Sequence, residues 1–184
     1  CVNALYLDGG GSATVCTRRE GTDTLKVQNS PSDGIERTVS SALLLVATGN
    51  SDNQFHHASI SPVDDVYTPG SEVAFTAIGS DKRGGKADLP EGLTWALSQN
   101  SAHYGVIDAQ TGVYTDNGQE AEPHEVTVEL HLGDQVVGTS QITIAAPDEL
   151  NFPNDSINLE YEARSNLGLT VFYKGRPVQY KAGD

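Results

Sequence analysis

A two-residue apolar period is the feature that most constrains this chain. Val126, Val128, Leu130 and Leu132 take every second position, with Thr127, Glu129 and His131 between them. That spacing puts one buried and one wet face on an extended strand and cannot form the apolar stripe of a helix. Gly133-Asp134 then turns the chain into a second strand, where Ile142 and Ile144 alternate with Gln141 and Thr143. The same period recurs at Val73, Phe75 and Ala77, and at Leu93, Trp95 and Leu97. No segment keeps a 3.6-residue period over three turns. Short strands punctuated by Gly, Pro, Asn and Asp predict a mainly β chain built on sandwich-type packing.

Composition agrees and narrows the partners. The 184 residues include 19 Gly and 8 Pro, with 37 % hydrophobic residues, which suits a turn-rich globular chain. The net charge of −14 and eleven scattered Lys and Arg residues disfavour nucleic acid and anionic membrane surfaces. No apolar run reaches the ~18–20 residues of a spanning helix, so membrane insertion is not expected. Leu43 to Ala47 reads instead as a short buried strand within a strand from Val39 to Ala47. Met is absent, at position 1 and elsewhere, so the chain is expected to be a mature or cut fragment, and the lack of a signal sequence says nothing about compartment. Cys1 and Cys16 are too few for a disulfide framework; whether they pair is open.

Breaks in pattern divide the chain. Asn50 to Gln54 is polar and aperiodic, and Ala146-Pro147-Asp148 forms a second break. The expected organisation is residues 1–49, a linker at 50–57, a sandwich at 58–146 and a further β module at 147–184. Trp95 is expected as the core anchor between sheets. Leu169 to Gly175 parallels Glu72 to Gly79, so 147–184 reads as the start of a second module that must pack on a neighbour. The hairpin Gly105-Val106-Ile107 through Thr111-Gly112-Val113-Tyr114-Thr115 resembles that of bacterial Ig-like domains.

Chemistry concentrates near the start. Leu5-Tyr6-Leu7 runs into Asp8-Gly9-Gly10-Gly11-Ser12, followed by Ala13 and Thr14. Three glycines in a row allow close backbone approach, and their N–H groups beside a carboxylate suit a bound anion such as phosphate. A second cluster follows at Asn29-Ser30-Pro31-Ser32-Asp33-Gly34-Ile35-Glu36-Arg37. Arg37 can grip phosphate with two parallel N–H donors, and Asp33 and Glu36 are its candidate partners. Asp33 also suits a turn cap at Pro31-Ser32-Asp33-Gly34. No His lies near Ser12 in sequence, which gives a Ser–His–Asp nucleophile no support. His56-His57 is not expected to chelate one metal, because neighbours on a strand face opposite ways. Asp64-Asp65 and Asp116-Asn117-Gly118 are loop acids where weak surface calcium is conceivable.

Together the two clusters resemble the C-terminal part of the phosphodiester glycosidase family, which includes the lysosomal uncovering enzyme and bacterial proteins associated with exopolysaccharide biosynthesis. The resemblance covers residues 1 to about 49, and Tyr6 stands where the family usually has Asn. It implies an α/β catalytic domain, of which this segment is the closing β piece, followed by an Ig-like β-sandwich and the start of a second. It implies a hydrolase acting on a glycosyl phosphodiester, with Asp8 and Ser12 as catalytic candidates. Gly9, Gly10, Gly11, Thr14, Asp33, Gly34 and Arg37 are then candidates for holding phosphate or substrate. It also implies an extracellular or cell-surface bacterial setting, a glycan or glycosyl-phosphodiester partner, and the remainder of the parent chain as a second partner; the residues themselves give no expectation of a metal or cofactor beyond weak surface calcium. The competing expectation is a structural or adhesive surface protein whose sandwich modules act as spacers or bind carbohydrate.

Overall fold

The computed structural model describes residues 13–22, 24–30, 32, 34–40, 42–46, 51–152 and 168–180. Its strands are β1 (Cys16–Arg18), β2 (Leu25–Val27), β3 (His57–Ser61), β4 (Val66–Tyr67), β5 (Glu72–Ala74), β6 (Thr76–Ser80) and β7 (Leu93–Leu97). They continue with β8 (Gly105–Ile107), β9 (Val113–Asp116), β10 (His124–Leu132), β11 (Gln135–Ile144), β12 (Glu149–Asn151), β13 (Thr170–Tyr173) and β14 (Arg176–Gln179). No helix occurs among the described residues, so the chain is mainly β as the alternation demanded.

Two compact units are present. One comprises Cys1–His57 with Ile78–Leu89, the other Ala58–Ala77 with Pro90–Asp184.

In the first unit, β1 and β2 form an antiparallel hairpin. The segment 78–89 closes on itself through Asp81, whose side chain is fully buried. Its Oδ1 accepts the N–H groups of Arg83 and Gly85, both at 2.8 Å, and its Oδ2 accepts the Ser51 hydroxyl. These donors, the Ser51 hydroxyl foremost, hold the Asp81 carboxyl below the usual carboxylate range. Ser51 to Gln54, read as linker, is folded into Asx-type turns, with the Gln54 N–H on Asp52 Oδ1 at 3.0 Å.

The run Leu43–Ala47 departs from expectation. Residues 42–46 carry no strand, and Leu43, Leu44 and Leu45 are 80 %, 77 % and 95 % exposed; Ala47 lies outside the described residues. Residues 39 and 40 carry no strand either. A continuous apolar run is buried as a strand only when both its faces are covered. Among the described residues nothing covers this one.

The second unit holds the main core. A seven-stranded sheet runs β12-β13-β14-β4-β11-β10-β7, and a three-stranded sheet runs β5-β9-β8. The β10–β11 hairpin turns at Gly133, as its sequence required. Val126, Val128, Leu130, Ile142 and Ile144 are all at most 1 % exposed, which confirms the alternation residue by residue. The Val73–Phe75–Ala77 alternation is split: Phe75 lies between β5 and β6 and donates its N–H to Gly112 O at 2.9 Å. Trp95 of β7 is half-buried, 6.3 Å from the Phe75 ring, and joins the two sheets there. Gly112 has φ +71, and a Cβ on it would lie 2.7 Å from Trp95 Cε2. Both the backbone conformation and the indole therefore select glycine at this position.

Strands β12, β13 and β14 enter the same large sheet. β14 pairs in parallel with β4, Val178 opposite Val66 and Gln179 opposite Tyr67. Val66, Ala145, Val171 and Val178 form a small core there, lined by Leu169 and Tyr173.

Candidate functional site

The β1–β2 hairpin brings Ala13 and Thr14, at the end of the first sequence cluster, beside Asn29 at the start of the second. Cys16 lies opposite Val27, Thr17 opposite Lys26 and Arg18 opposite Leu25. That register places the end of the first cluster beside the start of the second. Gln28 N–H donates to Val15 O at 2.8 Å. Asn29 then takes over from the backbone. Its Oδ1 accepts the Val15 N–H at 2.7 Å, and its Nδ2 donates to Ala13 O at 2.7 Å. One side-chain amide thus satisfies a donor and an acceptor on either side of Thr14, imitating a strand partner. Sequence reading included Asn29 in its cluster but gave it no role. Its signal was available: Asn is a residue type whose side chain competes for local backbone groups.

The hairpin tip is fixed to segment 78–89. Thr22 donates its N–H and hydroxyl to Arg19 O at 3.1 and 2.9 Å. Gly21 N–H donates to Gly84 O at 3.1 Å, and Glu20 Oε2 lies 2.6 Å from His57 Nε2. The expectation that His56 and His57 face opposite ways needs correction. Their rings meet edge-on at 5.6 Å, with Nδ1 atoms 3.4 Å apart. His56 precedes β3, so strand alternation does not apply to it. Among the described residues no group of three or more His, Cys, Asp or Glu side chains is placed to hold a metal ion.

The candidate residues divide as follows. Asp8, Gly9, Gly10, Gly11, Ser12 and Asp33 lie outside the described residues, as does Cys1. Thr14 is exposed on the Asn29-braced segment, and Cys16, two residues on, carries an exposed thiol. Gly34 has φ +74 with open space around a would-be Cβ, so its conformation rather than crowding favours glycine. Arg37 is exposed three residues later.

The loop acids of the second unit serve its turns. Asp116 is buried. Its Oδ1 accepts the Tyr114 hydroxyl at 2.9 Å, and its Oδ2 accepts the N–H groups of Gly70 at 2.8 Å and Gly118 at 2.9 Å. His124 Nε2 stands 3.5 Å from Oδ1, with the His124 ring stacked on Tyr104 at 4.0 Å. Burial, and then the charge of Asp116, push the Tyr114 phenol well above its ordinary value. Asp108 caps its own turn by accepting Thr111 N–H at 2.7 Å and Gln110 N–H at 2.9 Å, which hold its carboxyl low. Asp64 sits at φ +57, with its N–H on Gln141 O at 2.8 Å.

The model of the phosphodiester glycosidase family matches residues 1–46 of this chain, the stretch that holds both clusters. No curated protein matches the chain.

Proposed function

We propose that residues 1–49 form one wall of a phosphodiester glycosidase site, in a secreted or cell-surface bacterial hydrolase that cleaves a sugar–phosphodiester bond. The observation that carries this reading is the match of the family model to residues 1–46, the stretch that contains both sequence clusters. In this reading the N–H groups of Gly9, Gly10 and Gly11 and the hydroxyls of Ser12 and Thr14 receive phosphate oxygens. Arg37 adds a bidentate charged contact. Asp8, next to the glycines in sequence, exchanges the proton with the departing or attacking oxygen. The sandwich modules act as spacers.

The test is hydrolysis of a panel of glycosyl phosphodiesters by the full-length protein carrying this chain, with Asp8→Asn and Arg37→Ala beside it. The expected result is turnover that falls about 100-fold or more with Asp8→Asn. A raised KM is expected for Arg37→Ala. Wild-type rates for Asp8→Asn would remove that residue from the mechanism. No turnover on any glycosyl phosphodiester would favour a structural or adhesive role.

A further inference from the structure

A cleft of about 220 Å³ opens in the second unit where β4 meets β14, lined by Tyr67, Ser71, Glu72, Gln179 and Tyr180. We propose that this cleft binds one neutral saccharide ring. This inference stands apart from the phosphodiester reading, because it uses none of the residues of the two N-terminal clusters.

Its lining combines two aromatic rings with a carboxylate, an amide and a hydroxyl. A sugar ring presents C–H groups on one face and hydroxyls around its rim. The negative face of a tyrosine ring attracts the C–H face. A carboxylate accepts from rim hydroxyls, and an amide both accepts and donates. Glu72 in the lining disfavours a phosphorylated or acidic ligand in this cleft. At about 220 Å³ the cleft lies below the roughly 300–1,000 Å³ of drug-sized pockets, so it suits a single ring of a glycan rather than several.

Two of the lining side chains, Tyr180 and Ser71, are held by hydrogen bonds, and the backbone carrying the other polar groups is fixed by pairing. Tyr180 is 48 % exposed, yet its hydroxyl donates to Leu169 O at 3.1 Å, which sets the ring. Gln179 is fixed by its backbone, its carbonyl accepting Thr68 N–H at 3.2 Å and leaving the amide side chain exposed. Ser71 is buried in the turn after β4, with its hydroxyl 3.0 Å from that of Thr68. Asp116 braces the same turn through Gly70 N–H, and its own N–H donates to Ser71 O at 3.0 Å. Glu72 is registered opposite Thr115 by β5–β9 pairing. Burial, and then the charge of Asp65, hold the Tyr67 phenol above its ordinary value. Such preorganisation lowers the ordering cost of a weak ligand.

The experiment is an NMR titration of the 184-residue chain with the methyl glycosides of glucose, mannose and galactose and with N-acetylglucosamine, inorganic phosphate serving as the anionic control. Amide signals of Ser71, Glu72 and Gln179 should shift saturably with at least one sugar and not with phosphate. Tyr180→Ala should weaken that binding about tenfold. Tyr180→Phe, which keeps the ring but loses the bond to Leu169 that sets it, should weaken binding by less than Tyr180→Ala does. No saturable shift with any of the sugars would overturn the proposal. So would saturation by phosphate alone, or undiminished binding by a folded Tyr180→Ala chain.

Discussion

Replacing Asp116 by Ala should destabilise the second unit strongly, and the structure says by how much. The carboxylate accepts three hydrogen bonds from its own chain. The Gly70 and Gly118 amides belong to exposed residues, so water replaces their partner in the variant. Each then costs about 0.5–1.5 kcal/mol, the net worth of an ordinary hydrogen bond. The Tyr114 hydroxyl is different, because Tyr114 has no exposed surface. Orphaning such a group costs about 1–3 kcal/mol. Tyr104 O, at 3.3 Å, offers the hydroxyl a partial substitute. The sum is roughly 2–6 kcal/mol, a large share of the ~5–15 kcal/mol that holds a domain folded. Urea unfolding followed by the fluorescence of Trp95, the sole tryptophan and a member of this unit, measures it directly. Asp116→Asn keeps one acceptor oxygen and should lose less than half as much. A double-mutant cycle with Tyr114→Phe should give a coupling of about 0.5–3 kcal/mol. A loss under about 1 kcal/mol for Asp116→Ala would refute the reasoning, since water would then be replacing every partner equally well.

Other outcomes follow from the same geometry. Gly112→Ala combines a left-handed backbone with a Cβ thrust against the Trp95 indole, and should cost about 2–5 kcal/mol by urea unfolding. Asn29→Ala removes the brace around Thr14 and should raise hydrogen exchange at the Val15 amide severalfold, leaving amides of β10 and β11 unchanged. Asp81 is held low, so its contribution is present above the unfolded carboxyl value near ~4 and is lost as pH falls below that; Asp81→Asn should flatten the acid limb of a Tm-against-pH curve. Tyr114 is raised, so its contribution is present below the unfolded phenol value near ~10 and is lost as pH climbs past it; Tyr114→Phe should show shallower alkaline destabilisation.

The long-period features of the fold were legible where one face of a strand is wet. Val126, Val128, Leu130, Ile142 and Ile144 announce their burial by alternation, and Gly133 announces its turn. The Leu43–Val46 run was misread for the same physical reason. Without alternation, a short apolar stretch shows that it needs cover but not what covers it. The clamps of Asp116 and Asp81 were not legible, because an acid beside Gly and Asn looks the same whether it faces solvent or its own backbone. The two N-terminal clusters were legible as motifs. The role of Asn29 as a backbone partner of Ala13 and Val15 was not legible, because only the hairpin register reveals it.

The two-residue strand β4 has a mechanical consequence. It is flanked on both sides by parallel partners, β11 and β14, and so joins β12–β14 to the rest of the seven-stranded sheet. Tension arriving through β14 therefore meets a seam held by a short row of backbone bonds, well before it strains the long β10–β11 ladder. A sheet built this way should yield in two steps under load. The three C-terminal strands should peel first and the hairpin body later, so the seam serves as a fuse that spares the main core.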